Sequence, residues 1–389
     1  MTSRQRTSAA VARRPTDRTP VDFMAAPEIW ERLASALAID PAPFESLSPW
    51  LDPRREAVLN ALQVDCRVIS YDMFVRYPEH LLAAGERVDW WATAHRSTPN
   101  RMWRRIDAGG RLRDVWGVDY QRTSDRGSAQ EQIAEFPLAG AERASDLQAF
   151  AWPSPDWWDF SAAPRLIDDV LRASGPLHLR YRAGSVFEIA WQLCGMEKLL
   201  ADLLIDHAVP RYIMDRVSEV QIEIMKRFLA AAGDRVAMVY FYDDVGATQS
   251  LLVSRELWSA HIRPYHARLL DLARSMGLET MYHTDGAVDP LIGDFIDMGV
   301  DVLSPIQPEV AGFDARTLKE RWGSRLSFHG GVSVTEVLPR GSPAEVRRTV
   351  RNLVQTLGSG GGYIMASSHH MQADTPVENV LAMYDPALR

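Results

Sequence analysis

The sequence predicts a (β/α)8 TIM barrel, because strand-like apolar segments alternate with helical segments along most of its 389 residues. Polar side chains recur where these segments end, as expected for the carboxyl-terminal face of a barrel that carries a site. At 46% hydrophobic residues, the chain can also bury a large core. A tryptophan-rich insertion at about residues 75–160 interrupts the alternation.

Eight apolar segments have the composition and length of buried strands. The later ones are each followed by a turn and a helical segment, which is the pattern of parallel strands connected by helices. Eight such units close naturally into a barrel. The predicted strands start near residues 20, 64, 177, 236, 278, 300, 326 and 362.

Composition predicts the limits of the barrel domain and the structure of its insertion. Residues 1–14 contain Arg, Ser and Ala but no acidic residue, and are predicted to form a partly ordered arm before a single barrel domain at residues 15–389. Within the insertion, residues 107–110 predict the turn of a small β-hairpin. Its tryptophans either fill a small core or line a pocket for a flat ligand, and Trp116 is the candidate for binding substrate.

Charge and cysteine content exclude several classes of protein. A net charge of -8 argues against nucleic acid as a main partner, since phosphate binding needs a basic face. Cys66 and Cys194 lack the spacing of a disulfide framework or a metal site and fit a reducing cytoplasm. No apolar run approaches the roughly 18 residues of a membrane span. We expect a cytoplasmic protein that acts on a small molecule, and a homodimer is left open.

The segment at residues 278–286 ends in two metal-capable side chains, His283 and Asp285. Being two residues apart on an extended backbone, they point to the same side. A second strand-like segment at residues 362–366 leads to His369, and we expect these strand ends to meet. Two imidazoles and one carboxylate can bind zinc, or iron(II) with open positions. The alternative is a hydrogen-bonded pair that holds a loop, with His369 as an unrelated cap.

Other strand ends supply candidate catalytic and substrate-binding residues. Asp243 and Asp244 are adjacent and therefore face opposite sides of a strand, so that one is a candidate general base or a residue that orients a histidine. The alternative is a helix N-cap or a loop salt bridge. His329 is a candidate catalytic residue or packs beneath the site. Gln307 is the candidate for substrate binding.

Five motifs, taken in order, resemble the uroporphyrinogen decarboxylase superfamily, which also contains cobalamin-dependent methyltransferases. The resemblance covers the chain from residue 15 to the C-terminus and implies a (β/α)8 barrel. The motifs are Asp243-Asp244-Val245-Gly246, Tyr282-His283-Thr284-Asp285-Gly286, Ser304-Pro305-Ile306-Gln307-Pro308, Phe328-His329-Gly330-Gly331 and Asp374-Thr375-Pro376-Val377-Glu378-Asn379.

The resemblance separates two branches by their sites. The decarboxylases carry an arginine-rich N-terminal motif that grips propionates, whereas residues 15–22 offer only Arg18. The methyltransferases bind zinc through a His-x-Cys pair and a later cysteine. His283 falls on the family histidine, while Asp285 and His369 fall where the two cysteines would be.

The resemblance and the changed ligands together give a functional hypothesis. Zinc with two histidines and one carboxylate keeps a net positive charge, which favours polarising an oxygen over activating a thiol. The sequence therefore predicts a methyltransferase that uses zinc, or another divalent metal such as iron. It would move a methyl group between a methoxylated small molecule and a corrinoid on a partner protein. Two alternatives are a decarboxylase of uroporphyrinogen or a smaller carboxylic acid, and a non-enzymatic corrinoid- or tetrapyrrole-binding protein.

Overall fold

The protein is an α/β fold built around a curled parallel sheet. A computed structural model describes residues 1–39, 53–88, 105–107, 109, 111–125, 128–205 and 207–389. The strands of these residues are β1 (Cys66–Ser70), β2 (Arg87–Val88), β3 (Arg105–Ile106), β4 (Leu112–Arg113), β5 (Asp119–Asp125), β6 (Ser128–Glu135), β7 (His178–Arg182), β8 (Met238–Tyr242), β9 (Glu279–His283), β10 (Val302–Ile306), β11 (Ser327–Val332) and β12 (Tyr363–Ser367).

The main sheet has seven strands in the order β1-β7-β8-β9-β10-β11-β12, and every neighbouring pair is parallel. Consecutive strands of this sheet are therefore neighbours, as in TIM-like folds, where each crossover carries helices to the outside. These strands start within about two residues of seven predicted starts. The architecture agrees with a TIM-like fold.

The segment predicted as the first strand, near residue 20, forms a single bridge instead of a strand. Val21 makes a parallel bridge with Met365 of β12, and its carbonyl accepts a hydrogen bond of 2.9 Å from the backbone N–H of Asp65. Asp65 immediately precedes β1, so this short segment contacts both edges of the seven-stranded sheet. Pro20 shortens its ladder, because proline has no N–H to donate.

The helices pack mainly on the outside of this sheet, where their apolar faces form the main hydrophobic core. Among the described residues, no helix combines the length and the apolar character needed to cross a membrane. The helices are α1 (Ser3–Val11), α2 (Pro27–Ala36), α3 (Pro53–Ala61), α4 (Ala163–Ser174), α5 (Phe187–Cys194), α6 (Met196–Leu204), α7 (Ala208–Ala232), α8 (Arg255–His261), α9 (Arg263–Ser275), α10 (Ile292–Asp297), α11 (Ala315–Trp322), α12 (Val337–Arg340), α13 (Pro343–Leu357) and α14 (Val377–Met383).

The inner face of the sheet begins with an apolar layer and continues with a polar one. Val11 of α1 packs against a small cluster at the amino-terminal ends of the strands. The backbone carbonyl of Val11 also accepts a hydrogen bond of 2.9 Å from the Ser327 hydroxyl. Residues 1–14 were expected to form a partly ordered arm, but most of this segment is a packed helix. The strand residues of the cluster are Cys66, Met238, Met281, Val302 and Ile364.

The region at residues 75–160 contains an antiparallel sheet of five strands, in the order β2 to β6. The hairpin predicted around residues 107–110 is present, with β3 paired to β4. Trp116 and Trp158 are buried in the main core, which is the core-filling role weighed in the sequence. The predicted tryptophan-rich lining also involves Trp90, Trp91 and Trp103, which lie outside the described residues.

Candidate metal centre

Three side chains from two distant strand ends converge at the carboxyl-terminal edge of the sheet. His283 is the last residue of β9, Asp285 follows it by two residues, and His369 follows the end of β12 by two. The His283 Nε2 to Asp285 Oδ1 distance is 3.7 Å, and the His369 Nε2 to Asp285 Oδ2 distance is 3.5 Å. One ligand atom from each residue lies within 4.8 Å of the others. The three side chains therefore lie together, as their positions at the strand ends predicted. Metal binding by them stays a prediction.

The loop after β9 is held by hydrogen bonds to β10 and to the loop that follows β8. The N–H of Thr284 donates to the carbonyl of Ser304, and the Thr284 hydroxyl accepts from the N–H of Val245. Gly286 has a φ of 91°, and a Cβ there would lie 2.4 Å from the carbonyl carbon of Gly246. Only glycine fits here, because the loop passes directly against the backbone of Gly246 and Ala247.

The Asp285 carboxylate is positioned by Gln307. The Gln307 side chain donates from Nε2 to Asp285 Oδ1 at 3.0 Å, and its Oε1 accepts from the N–H of Gly286 at 2.9 Å. Both ends of the Gln307 amide are therefore engaged within the loop. This geometry positions the Asp285 carboxylate, and contact of Gln307 with substrate stays a prediction.

Asp244 also faces this cluster. Its Oδ1 accepts a hydrogen bond of 2.8 Å from the backbone N–H of Asp285. Burial and the nearby carboxylate of Asp285 raise the pKa of Asp244, and burial raises the pKa of Asp285. Two carboxylates held this close repel each other, so the site favours an added positive charge.

The two histidines of the cluster are poised as neutral imidazoles. Burial, and then the neighbouring His369 and His370, lower the pKa of His283 well below its usual range. Burial also lowers the pKa of His369, although the negative charge of Asp244 acts in the opposite direction. Neutral imidazole is the form that coordinates a metal, so at neutral pH no proton has to leave either ring first.

Asp243 was a candidate catalytic residue, but its carboxylate points away from the cluster and caps α5. It accepts hydrogen bonds of 2.6–2.9 Å from the backbone N–H groups of Val186, Phe187 and Glu188, and it contacts His266 Nε2 at 2.9 Å. These N–H groups have no partners within the helix, so a buried carboxylate here has a structural role. The helix cap weighed for the Asp243-Asp244 pair is the role of Asp243.

His329 lies beneath the cluster, and both of its ring nitrogens have partners. Nδ1 is 3.0 Å from the Ser304 hydroxyl, and Nε2 is 3.0 Å from Asp22 Oδ2. The Asp22 carboxylate also accepts a hydrogen bond of 2.5 Å from Arg180. Burial acts to raise the pKa of Asp22, but the charge of Arg180 and the contact with His329 together hold this pKa well below its usual range. This buried network occupies His329, so the geometry supports packing beneath the site over the predicted catalytic role.

Trp116 and Arg182 are both buried, but only Trp116 was a predicted site residue. Trp116 is 3% exposed and lies in the main core, and its contact with substrate stays a prediction. Arg182 was not a candidate, yet it ends β7 at the same edge of the sheet and is 3% exposed. Alternation of His178, Arg180 and Arg182 along a strand would have placed all three on one face.

Comparison with known proteins gives the family. The model of the family described as Uroporphyrinogen decarboxylase (URO-D) matches residues 171–387, which is more than half of the 389-residue chain. The chain belongs to the uroporphyrinogen decarboxylase family. The resemblance drawn from the five motifs is thus confirmed. One of these motifs supplies His283 and Asp285, and three others supply Asp244, Gln307 and His329 next to or beneath them. No curated protein matches the sequence.

One solved structure shares the fold of this URO-D family member. A methyltransferase from Methanosarcina mazei superposes with a TM-score of 0.66 at 17% identity, covering 98% of this chain and 97% of that one. A psychrophilic family 10 endo-beta-1,4-xylanase gives a TM-score of 0.38 at 12% identity, over 60% and 83% of the chains. D-psicose 3-epimerase from Clostridium cellulolyticum H10 gives 0.31 at 12% identity, over 58% and 73%. The last two are too dissimilar to carry an argument.

Proposed function

We propose that this protein is a metal-dependent methyltransferase. It would move a methyl group between an oxygen atom of a methoxylated small molecule and a corrinoid carried by a partner protein. The observation that carries this proposal is the convergence of His283, Asp285 and His369 in a URO-D family fold. The fold shared with a methyltransferase from Methanosarcina mazei supports the same reaction class.

The donor atoms fit a divalent metal. Two ligand atoms about 2.1 Å from a metal, at the tetrahedral angle, lie about 3.4 Å apart. The two histidine nitrogens lie 3.7 Å from Asp285 Oδ1 and 3.5 Å from Asp285 Oδ2, and one ligand atom from each of the three residues lies within 4.8 Å of the others. Side-chain rotations that bring the three atoms closer together would complete the site. Two nitrogens and one carboxylate oxygen suit zinc or iron(II), and three protein ligands leave a position for substrate.

The chain's own residues would hold and orient this site. His283, Asp285 and His369 would be the ligands, while Gln307 and Asp244 fix the Asp285 carboxylate and backbone. A divalent metal held here supplies a Lewis acid that polarises an oxygen of the substrate. In the transfer, the oxygen–methyl bond breaks, the methyl carbon bonds to the acceptor, and the oxygen keeps the electron pair and takes a proton from water.

Metal dependence of methyl transfer tests the proposal. Protein stripped with a chelator, then reloaded with Zn²⁺ or Fe²⁺, would be mixed with methoxylated aromatic compounds and a reduced corrinoid protein. We expect demethylated product by mass spectrometry, and a change in corrinoid absorbance, only after reloading. Full activity of the stripped protein would contradict the proposal. Turnover of uroporphyrinogen unaffected by the chelator would favour the decarboxylase alternative.

Replacing Gln307 by alanine should weaken metal binding without removing a ligand. Loss of its hydrogen bond frees the Asp285 carboxylate to rotate, and we expect the Kd for Zn²⁺ to rise about 10- to 100-fold. Isothermal titration calorimetry measures this change. Gln355→Ala, on the exposed face of α13, is the matched control and should keep the parent Kd. An unchanged Kd in Gln307→Ala would remove Gln307 from the site.

A further inference from the structure

Arg182 places a positive charge at the same edge of the sheet as the metal cluster. Along β7, His178, Arg180 and Arg182 share one face because side chains alternate along a strand. Arg180 contacts Asp22 and Cys66, and Cys66 belongs to the cluster on the inner face. Arg182, two residues further on, therefore points inward from the carboxyl-terminal end of β7.

Among the described residues the guanidinium of Arg182 makes no salt bridge, although the buried carboxylate of Asp72 attracts it through space. Arg6, Arg67 and Arg180 are buried to a similar degree, and each makes a salt bridge with a carboxylate at 2.5–2.8 Å. Among the residues that the structure describes, no carboxylate forms a salt bridge with Arg182. Its Nη1 is buried and has no hydrogen-bond partner. Because a buried N–H group without a hydrogen-bond acceptor is costly, this guanidinium is suited to a ligand that brings an anionic acceptor to Nη1.

Aromatic rings hold Arg182 in place beside the cluster. Its guanidinium lies over the ring of Tyr242, 4.3 Å from the ring centroid. Tyr240, its partner in register on β8, lies 5.9 Å from His283 between ring centroids. Only β8 separates β7 from β9, so the strands that end in Arg182 and His283 are about 10 Å apart. A ligand of about one aromatic ring has the length needed to contact both.

We propose that Arg182 binds a carboxylate of the substrate, and that the substrate is a methoxylated carboxylic acid of about one aromatic ring. This assignment of a substrate class rests on the proposed function. A guanidinium presents two parallel N–H groups to the two carboxylate oxygens, and the Tyr242 ring keeps its plane fixed. With the carboxylate on Arg182, the methoxy group at the other end of the ring is directed towards His283, Asp285 and His369.

Binding of an acid and its neutral analogue tests the inference without turnover. 4-Methoxybenzoate and 4-methoxybenzamide would be titrated by calorimetry into the full-length protein, once loaded with Zn²⁺ and once treated with chelator. We expect the acid to bind the wild type at least about 10-fold more tightly than the amide, because only the acid forms charge-assisted hydrogen bonds with Arg182. The comparison uses one unaltered protein, so it does not depend on any variant folding.

Variants at Arg182 then locate the preference. Arg182→Met should remove the difference in affinity between acid and amide. Arg182→Lys should keep part of this difference, because an ammonium group retains the charge but lacks the two parallel N–H donors of a guanidinium. Arg340→Met removes one charge from an exposed i,i+4 pair with Glu336 and should keep the full preference. Equal binding of acid and amide to the wild type, no binding of the acid, or a full preference in Arg182→Met overturns the inference. If the wild type prefers the acid but neither binds a metal nor transfers a methyl group, the proposed function is refuted while the role of Arg182 stands.

Discussion

Replacing His369 by alanine is expected to raise the Kd for Zn²⁺ at least about 100-fold, because one of three protein ligands is lost. The His369 ring is the only described ligand supplied from the β12 end of the sheet, and the pair His283 and Asp285 alone would hold a metal weakly. Isothermal titration calorimetry and metal analysis of the dialysed protein measure the loss. We expect about one Zn²⁺ per chain in the parent and a small fraction of that in the variant.

Two further variants make the test specific. His80→Ala changes an exposed histidine outside the cluster and should leave both metal content and Kd unchanged. His369→Cys places a thiolate where the family resemblance expects one, and should keep binding. Loading this variant with Co²⁺ should add a sulfur-to-metal charge-transfer absorption that the parent lacks. Parent-like zinc affinity in His369→Ala, measured beside these controls, would show that any metal lies elsewhere.

The convergence of His283, Asp285 and His369 could be expected from the sequence because it depends on two short-range rules. Alternation along β9 puts His283 and Asp285 on one side, and parallel strands bring their carboxyl-terminal ends to one edge. Neither rule needs knowledge of distant side chains. A third pattern located seven strands of the sheet, because buried parallel strands are continuous apolar runs.

The same rules left open which of Asp243 and Asp244 faces the site. Alternation separates the two, but the inner side is defined only once Met238 is seen in the inner cluster. Counting onward in steps of two from Met238 reaches Asp244, whereas Asp243 belongs to the opposite face. Which aspartate faces the site therefore depends on how β8 packs against the other strands, and the local sequence pattern does not show this.

Arg182 was missed, and residues 1–14 were misjudged, for a different reason. Arginine is seldom buried, so a sequence reading treats Arg182 as solvent-exposed unless a partner is visible. Residues 1–14 are poor in large apolar side chains and read as an arm, yet Ala9 and Ala10 are small enough for α1 to pack closely against the strand ends. In both cases the burial is imposed by the shape of the assembled sheet.

Replacing Asp243 by alanine is expected to lower the free energy of unfolding by about 3–5 kcal/mol. The substitution leaves the N–H groups of Val186, Phe187 and Glu188 without their acceptor at the start of α5, and it removes the partner of His266 Nε2. Urea denaturation followed by tryptophan fluorescence measures the change. Asp243→Asn keeps one acceptor oxygen and should cost less than the alanine variant.

Two matched substitutions test whether the burial and position of Asp243 cause the expected loss of stability. Asp314 caps α11 through the N–H of Thr317 in the same manner but is more exposed, so Asp314→Ala should cost only about 1 kcal/mol. Asp244→Ala removes the adjacent carboxylate, which accepts one backbone hydrogen bond and repels Asp285, so its stability should stay within about 1 kcal/mol of the parent. The same Asp244 variant should bind Zn²⁺ more weakly, because the Asp285 backbone loses its anchor. Similar losses of stability in Asp243→Ala and Asp244→Ala would contradict the division of these neighbours into a helix cap and a site residue.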